Sequence, residues 1–138
     1  MHLMIDLETL ATSPNAAILT IGACKFDPKA QDIHSQYYER IVLESQESYG
    51  RIINEDTLKW WGQQDKQIQE DAFGEGDDRI DLKDAMKKLY TFGLGTTNVW
   101  SHGSIFDVVI IEDVCRSFQQ AVTWKFWEVR DTRTLFDL

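Results

Sequence analysis

Between Leu3 and Leu43 the chain alternates apolar extended segments with turns so short that few folds remain open to it. "LMIDL" (Leu3 to Leu7) reads as a short buried strand, and "TSPNA" (Thr12 to Ala16) is turn chemistry. "AAILTIGACKFD" (Ala16 to Asp27) reads as a second strand, with Gly22 as a candidate bulge or close approach. After the polar turn "DPKAQD", "HSQYYERIVL" (His34 to Leu43) alternates as a third strand. Two short turns joining three strands imply an antiparallel meander.

Helical patterns take over downstream. "NEDTLKWWGQQ" offers Asn54 as N-cap and acids in the first turn, with Leu58 and Trp61 on one face and Gly62 as a break. "FGEGDDR" reads as a loop. "DLKDAMKKLYTFG" is amphipathic, with Leu82, Ala85, Met86, Leu89 and Tyr90 in one stripe, ended by Gly93 or Gly95. "NVWS" (Asn98 to Ser101) is a short strand. Ser104 is a candidate N-cap for a helix to about Gln119, and "FWEVRDT" reads as a last strand and its exit. The order βββ-α-α-β-α-β predicts an α/β fold, a mixed sheet of meander and crossover strands flanked by helices.

At 138 residues this is one domain's worth of chain, and 43% hydrophobic content suffices for a core. No apolar run approaches the roughly 20 residues of a membrane span. The N-terminus lacks the basic start and cleavage site of a signal peptide, so the chain reads as intracellular. Cys24 and Cys115, both in apolar segments and without a CxxC, read as buried reduced thiols rather than zinc ligands. A net charge of −9 argues against broad coating of nucleic acid, yet it is compatible with a nuclease whose acids hold cations.

Asp6 and Glu8 interrupt the first strand. Two residues apart on a strand, they share a face, with Cβ atoms about 6.5–7 Å apart. Without a cation such a pair resists full ionisation, and alone it is also what an ordinary solvated strand end looks like. Asp107 lies in the first turn of a helix that follows a short strand. The helix dipole favours an acid there in any case, but if that strand lies beside the first, Asp107 faces Asp6. Three carboxylates at one sheet edge suit two-metal attack on phosphate.

At this point the motifs are recognisable. "MIDLETLATSPNAAILTIGACKFD", "TLKWWGQQ", "VWSHGSIFDVVIIEDVCR" and "WKFWEVRDTRTL" resemble, in order from residue 3 to residue 135, the DEDD 3'–5' exonucleases. The subgroup they resemble contains phage exonuclease A, the exonuclease VIII (RecE)-like phage proteins and the mycobacterial 3'–5' exoribonuclease domain. The resemblance implies a ribonuclease H-like fold and two-metal release of nucleoside monophosphates from a 3' end. Asp6, Glu8 and Asp107 would be catalytic and metal-binding, with two divalent ions, Mg²⁺ or Mn²⁺. Thr9, Leu10, Trp61 and His102 would contact substrate, Leu10 as a wedge against the last base; a core leucine after the strand is the equal alternative for Leu10, and a hydrogen-bonded histidine beside the sheet edge for His102. Trp60 and Trp61 together suggest a stacking platform, although at their helical spacing core packing is the better reading for at least one. Arg130 and Asp131 are expected to form a structural pair. The implied partner is single-stranded or 3'-overhang DNA or RNA, not a membrane, in the cytoplasm of a bacterial or phage-infected cell.

One part of the family pattern has no counterpart. The third motif, a His-x4-Asp on a helix beyond "RDTRTL", is missing from the 138 residues: five residues before Asp137 stands Thr132, and His2 and His34 come far too early. The expectation is therefore a single domain over residues 1–138 without its C-terminal helix, a fragment of an active exonuclease that is weak or inactive by itself. The alternative is a catalytically inactive metal- or nucleic-acid-binding module on the same fold.

Overall fold

The structure, a computed structural model, describes residues 1–74 and 78–138. The expected meander is present. Strands β1 (His2–Thr9), β2 (Ile18–Asp27) and β3 (Asp32–Ile41) pair antiparallel in sequence order. On β1 the odd positions Leu3, Ile5 and Leu7 are buried, while His2, Met4, Asp6 and Glu8 occupy the opposite face. The expected bulge at Gly22 is absent. Gly22 sits in regular register between Asp6 and Tyr38, and the irregularities fall between Glu8 and Thr9 and between Lys25 and Phe26. A Cβ on Gly22 would make only ordinary contact with the Asp6 carbonyl at 3.7 Å. The missing side chain thus leaves open floor beside Asp6 rather than relieving backbone strain.

Helix α1 (Glu55–Gly62) starts as the sequence predicts: the Asn54 side chain accepts from the N–H of Asp56 at 2.9 Å and of Thr57 at 3.2 Å. Trp61 turns inward but Leu58 is 41% exposed, so the expected two-residue apolar face is only half used. Helix α2 (Lys66–Phe73), capped by Asp65, and the two-residue strand β4 (Arg79–Ile80) were not legible as separate elements. The loop expected at 73–79 lies partly outside the described residues. Helix α3 (Leu82–Gly93) buries Leu82, Ala85, Met86 and Leu89, with Tyr90 at its margin.

Strand β5 (Val99–Ser101) pairs parallel with β1, helix α4 (Asp107–Ser117) follows, β6 (Val129–Asp131) pairs parallel with β5, and short α5 (Thr132–Phe136) ends the chain. Among the described residues six strands form one sheet in the order β4-β3-β2-β1-β5-β6. The main core joins Leu3, Ile5 and Leu7 to α3 and α4; a smaller one holds Leu10, Leu19, Trp61 and Ala72 beneath α1 and α2. On the sheet face that carries Asp6, an apolar groove of about 450 Å³ stays open, lined by Met4, Cys24, Phe26, Ile33, Trp100 and Leu135. Cys115 is buried as expected, whereas Cys24 is only half-buried; both are free thiols. Among the described residues no helix is long and apolar enough to cross a membrane.

Candidate active site

Strand β5 is only three residues long and pairs with β1 at Leu3 and Met4, so it does not reach Leu7. The Leu7 N–H would be left without a partner at a buried position, which is costly. Asp107 meets that need: its Oδ2 accepts the Leu7 N–H at 2.9 Å. The first residue of α4 is thereby fastened to β1 between Asp6 and Glu8. Parallel pairing of β1 and β5 thus brings the three sequence-identified acids to one end of the sheet.

Their burial differs. Asp107 is 4% exposed, Glu8 half-buried and Asp6 the most exposed of the three. Burial pushes the Asp107 carboxyl up to about 6; the Leu7 N–H opposes this, and the charge of Asp6 adds to it. Glu8 is raised by partial desolvation and then by the charges of Asp6 and Asp107. Asp6 is raised by desolvation. Among the described residues none of the three is in an ion pair with Lys, Arg or His. Raised carboxylates without an ion-pair partner, two of them pushed up further by a neighbouring acid, are electrostatically suited to a divalent cation. Their arrangement is nevertheless open: among the described residues, no three His, Cys, Asp or Glu groups close around one point as a metal cage.

Two clefts meet at Glu8. One, of about 530 Å³, is lined by Glu8, Thr9, Asn54, Thr57, Trp60 and Phe106, among others. The other, of about 360 Å³, has Asp6, Glu8, Gly22, Tyr38 and Asp71 on its walls. Tyr38 and Asp71 escaped the sequence reading. Tyr38 required knowing that β3 lies one strand beyond Gly22, and Asp71 required recognising α2.

The loop after β5 departs from expectation. Ser104 does not cap α4; the residue before that helix is Phe106, with no side-chain cap. The Ser104 hydroxyl instead donates to the Arg130 carbonyl on β6. Nor do Arg130 and Asp131 form a pair. The Arg130 guanidinium donates to the carbonyls of Trp127 and Val129. The Asp131 carboxylate accepts three backbone N–H groups, from Gly103 at 2.9 Å, Ser104 at 3.0 Å and Arg133 at 3.0 Å. Those bonds hold the Asp131 carboxyl below its ordinary range. Gly103, at φ +99°, makes the turn that lets both loop amides face Asp131. Asp131 therefore latches the Asp107 loop to β6 and caps α5 at once.

The expected substrate-contacting residues separate into groups. Thr9 borders the larger cleft, its hydroxyl donating to the Ala11 carbonyl at 2.7 Å. Leu10, expected as either a wedge or a core leucine, is the core leucine: it is 1% exposed in the smaller core, with its N–H and carbonyl bonded to Ala17 and Asn54. It has no surface to offer a base. Trp61 is 4% exposed, and its indole N–H donates to the Thr9 carbonyl at 2.9 Å. It is mainly a core residue whose edge borders both clefts. Trp60 stands on it edge-to-face at 5.0 Å and is 51% exposed. His102 is exposed, with Nδ1 2.9 Å from the Thr132 hydroxyl. Among the described residues no histidine hydrogen-bonds to Asp6, Glu8 or Asp107. The two tryptophans should behave oppositely in chemical denaturation. Trp61→Ala should cost about 3–5 kcal/mol, as large aromatic truncations in cores do, and Trp60→Ala within about 0.5 kcal/mol.

Known proteins resemble this chain in sequence and in fold. The family model described as the 3'-5' exoribonuclease Rv2179c-like domain matches residues 1–138. An exodeoxyribonuclease of Enterobacteria phage T4 is 23% identical over 160 residues, covering 95% of this chain and 68% of that protein. A product-bound exonuclease I superposes with a TM-score of 0.68 at 14% identity. A zinc-bound complex of E. coli exonuclease I with single-stranded DNA does so at 0.69 and 15%. Each covers 98% of this chain, which spans 30% and 28% of the respective structures. At these identities the structural likeness speaks for the fold, a mixed sheet flanked by helices as in exonuclease I.

Proposed function

This chain belongs to the 3'-5' exoribonuclease Rv2179c-like domain family, and from that premise we propose that it is the metal-dependent 3'–5' exonuclease domain of a protein that trims single-stranded or 3'-overhang DNA or RNA. Asp6, Glu8 and Asp107 are the proposed cation ligands. The observation that carries this reading is the Asp107 carboxylate bonded to the Leu7 N–H, between two further acids, with no cationic side chain among the described residues paired to any of them. An all-oxygen donor set of this kind suits Mg²⁺ or Mn²⁺. Divalent ions held there would supply an activated water and stabilise the leaving oxygen at the scissile phosphate.

The chain's own groups account for the rest. The Leu7 N–H fixes one Asp107 oxygen and leaves the other for a ligand. Asp131, through Gly103 and Ser104, sets the loop that delivers Asp107. The exposed Trp60 face, in the cleft with Thr9, Asn54 and Thr57, offers a terminal base a stacking surface beside polar groups for the sugar. Purified chain with Mn²⁺ should shorten a 5'-labelled single strand slowly from its 3' end, and Asp6→Asn should stop it. Since no histidine among the described residues hydrogen-bonds to the three acids, the rate should fall ~10²–10⁴-fold below that of a site with a positioned general base. No shortening at stoichiometric protein, together with no calorimetric heat of Mn²⁺ binding, would refute the proposal.

The second reading, an inactive binding module on this fold, is favoured by the open arrangement of the acids among the described residues and by the uncovered apolar groove. Mn²⁺ and oligonucleotide binding without any shortening would select it.

A further inference from the structure

Five of the six arginines have protein partners. Arg40, Arg51, Arg79 and Arg130 donate to backbone carbonyls, Arg40 and Arg51 also to Asp78 and Asp113, and Arg116 pairs with Asp113. Arg133 is different. Among the described residues its guanidinium makes neither an ion pair nor a hydrogen bond, and its side chain is exposed. Its backbone is held all the same: its N–H donates to Asp131, the N-cap of α5. The guanidinium lies over Gly103, with Nε 3.7 Å from where a Cβ on that glycine would stand. That places a five-donor cation, anchored through its backbone and unpaired among the described residues, over the loop that delivers Asp107. Its positive charge is felt at the Asp107 carboxylate.

We propose that Arg133 is a substrate-positioning residue whose guanidinium binds a backbone phosphate of the nucleic acid next to the Asp6, Glu8 and Asp107 cluster. The inference rests on the exonuclease reading for the identity of the ligand. A phosphate approaching three carboxylates in a chain of net charge −9 is repelled. A guanidinium at the rim offsets that locally and grips two phosphate oxygens at once, giving register as well as attraction. The side chains of Arg130 and Arg51 cannot serve, because they are committed to protein acceptors.

The test uses 5'-fluorescein-dT10 and the same strand with its last two linkages replaced by neutral methylphosphonates, with Ca²⁺ as the cation, read by fluorescence anisotropy. Wild type should prefer the all-phosphodiester strand about tenfold, as expected for one charge-assisted contact. Arg133→Ala should lose that preference and lower the salt slope of binding by about 0.7. Arg133→Lys should recover part of it, and Lys87→Ala, an equal change in net charge on α3, should retain it. Mn²⁺ binding by calorimetry and the thermal midpoint should be unchanged in Arg133→Ala, since the backbone cap remains. An Arg133→Ala chain that keeps the wild-type preference, or weakens equally for both strands, overturns the inference. A wild type that shows the Arg133-dependent preference but neither binds Mn²⁺ nor shortens the strand supports the phosphate contact and refutes the exonuclease reading; one that binds neither strand overturns the phosphate contact and leaves the exonuclease reading to the shortening assay.

Discussion

Asp107→Asn is expected to abolish divalent-cation binding and, at the same time, to make the metal-free chain more stable at pH 7.5. Both effects come from one carboxylate. Its ordinary pKa of 3.8 is pushed up to about 6 by burial, so ionisation at neutral pH works against the folded state. At about 1.4 kcal/mol per pH unit, that span amounts to roughly 3 kcal/mol. Asparagine keeps an oxygen to accept the Leu7 N–H and drops the charge, so a gain of about 1–3 kcal/mol in urea denaturation should follow. The same change removes an anionic ligand, and Mn²⁺ titration of the variant should show no heat where wild type does. Stability forgone at a functional site is a common trade-off. A variant less stable than wild type without metal would show that the ionised carboxylate contributes to the fold, and the cation-site argument would lose its energetic basis.

Much of this site was legible because strand geometry is local. Period-two alternation placed Asp6 and Glu8 on one face, and short turns fixed the meander that carries them. Asp107 needed one assumption, that the strand before it lies beside β1, and the parallel β1–β5 pairing meets it. What escaped has a long-range cause. Ser104 has the side chain of an N-cap, but its hydroxyl is taken by a carbonyl on β6, and the loop amides are held by Asp131, 27 and 28 residues along the chain. Local pattern carries no trace of such a latch. Strand β4 is too short to show periodicity, and α2 rests on its Asp65 cap and a mostly exposed face. Leu10 reads as a wedge when only its place after the motif is considered. Its burial is set by α1 and β2, which close over it.

Metal and pH should be coupled in this chain in a direction opposite to that of most acid-sensitive proteins. A carboxyl whose folded pKa is raised binds more protons folded than unfolded between the two values. Stability therefore falls as pH rises from about 4 to about 6, the range set by Asp107. Glu8 and Asp6 shift in the same direction. Asp131 acts in the other direction: its depressed pKa contributes stability that is present above its unfolded value and lost as pH falls through the folded one. Metal-free wild type should thus melt higher at pH 5 than at pH 7.5. Saturating Mn²⁺ should reverse the order, because ionised carboxylates are what the cation binds. At 100 times Kd the ion adds about 2.7 kcal/mol, a rise of roughly 10 °C for a domain of this size, and the rise should be largest at pH 7.5. General loss of charge repulsion on acidification would also raise the melting point, so the decisive quantity is the difference between wild type and Asp107→Asn. The gap between the two metal-free proteins should close from pH 7.5 to pH 4, while other groups titrate alike in both. A gap independent of pH would mean that the carboxylate is not raised in the folded chain, and would leave the three acids as a solvated strand end and helix start.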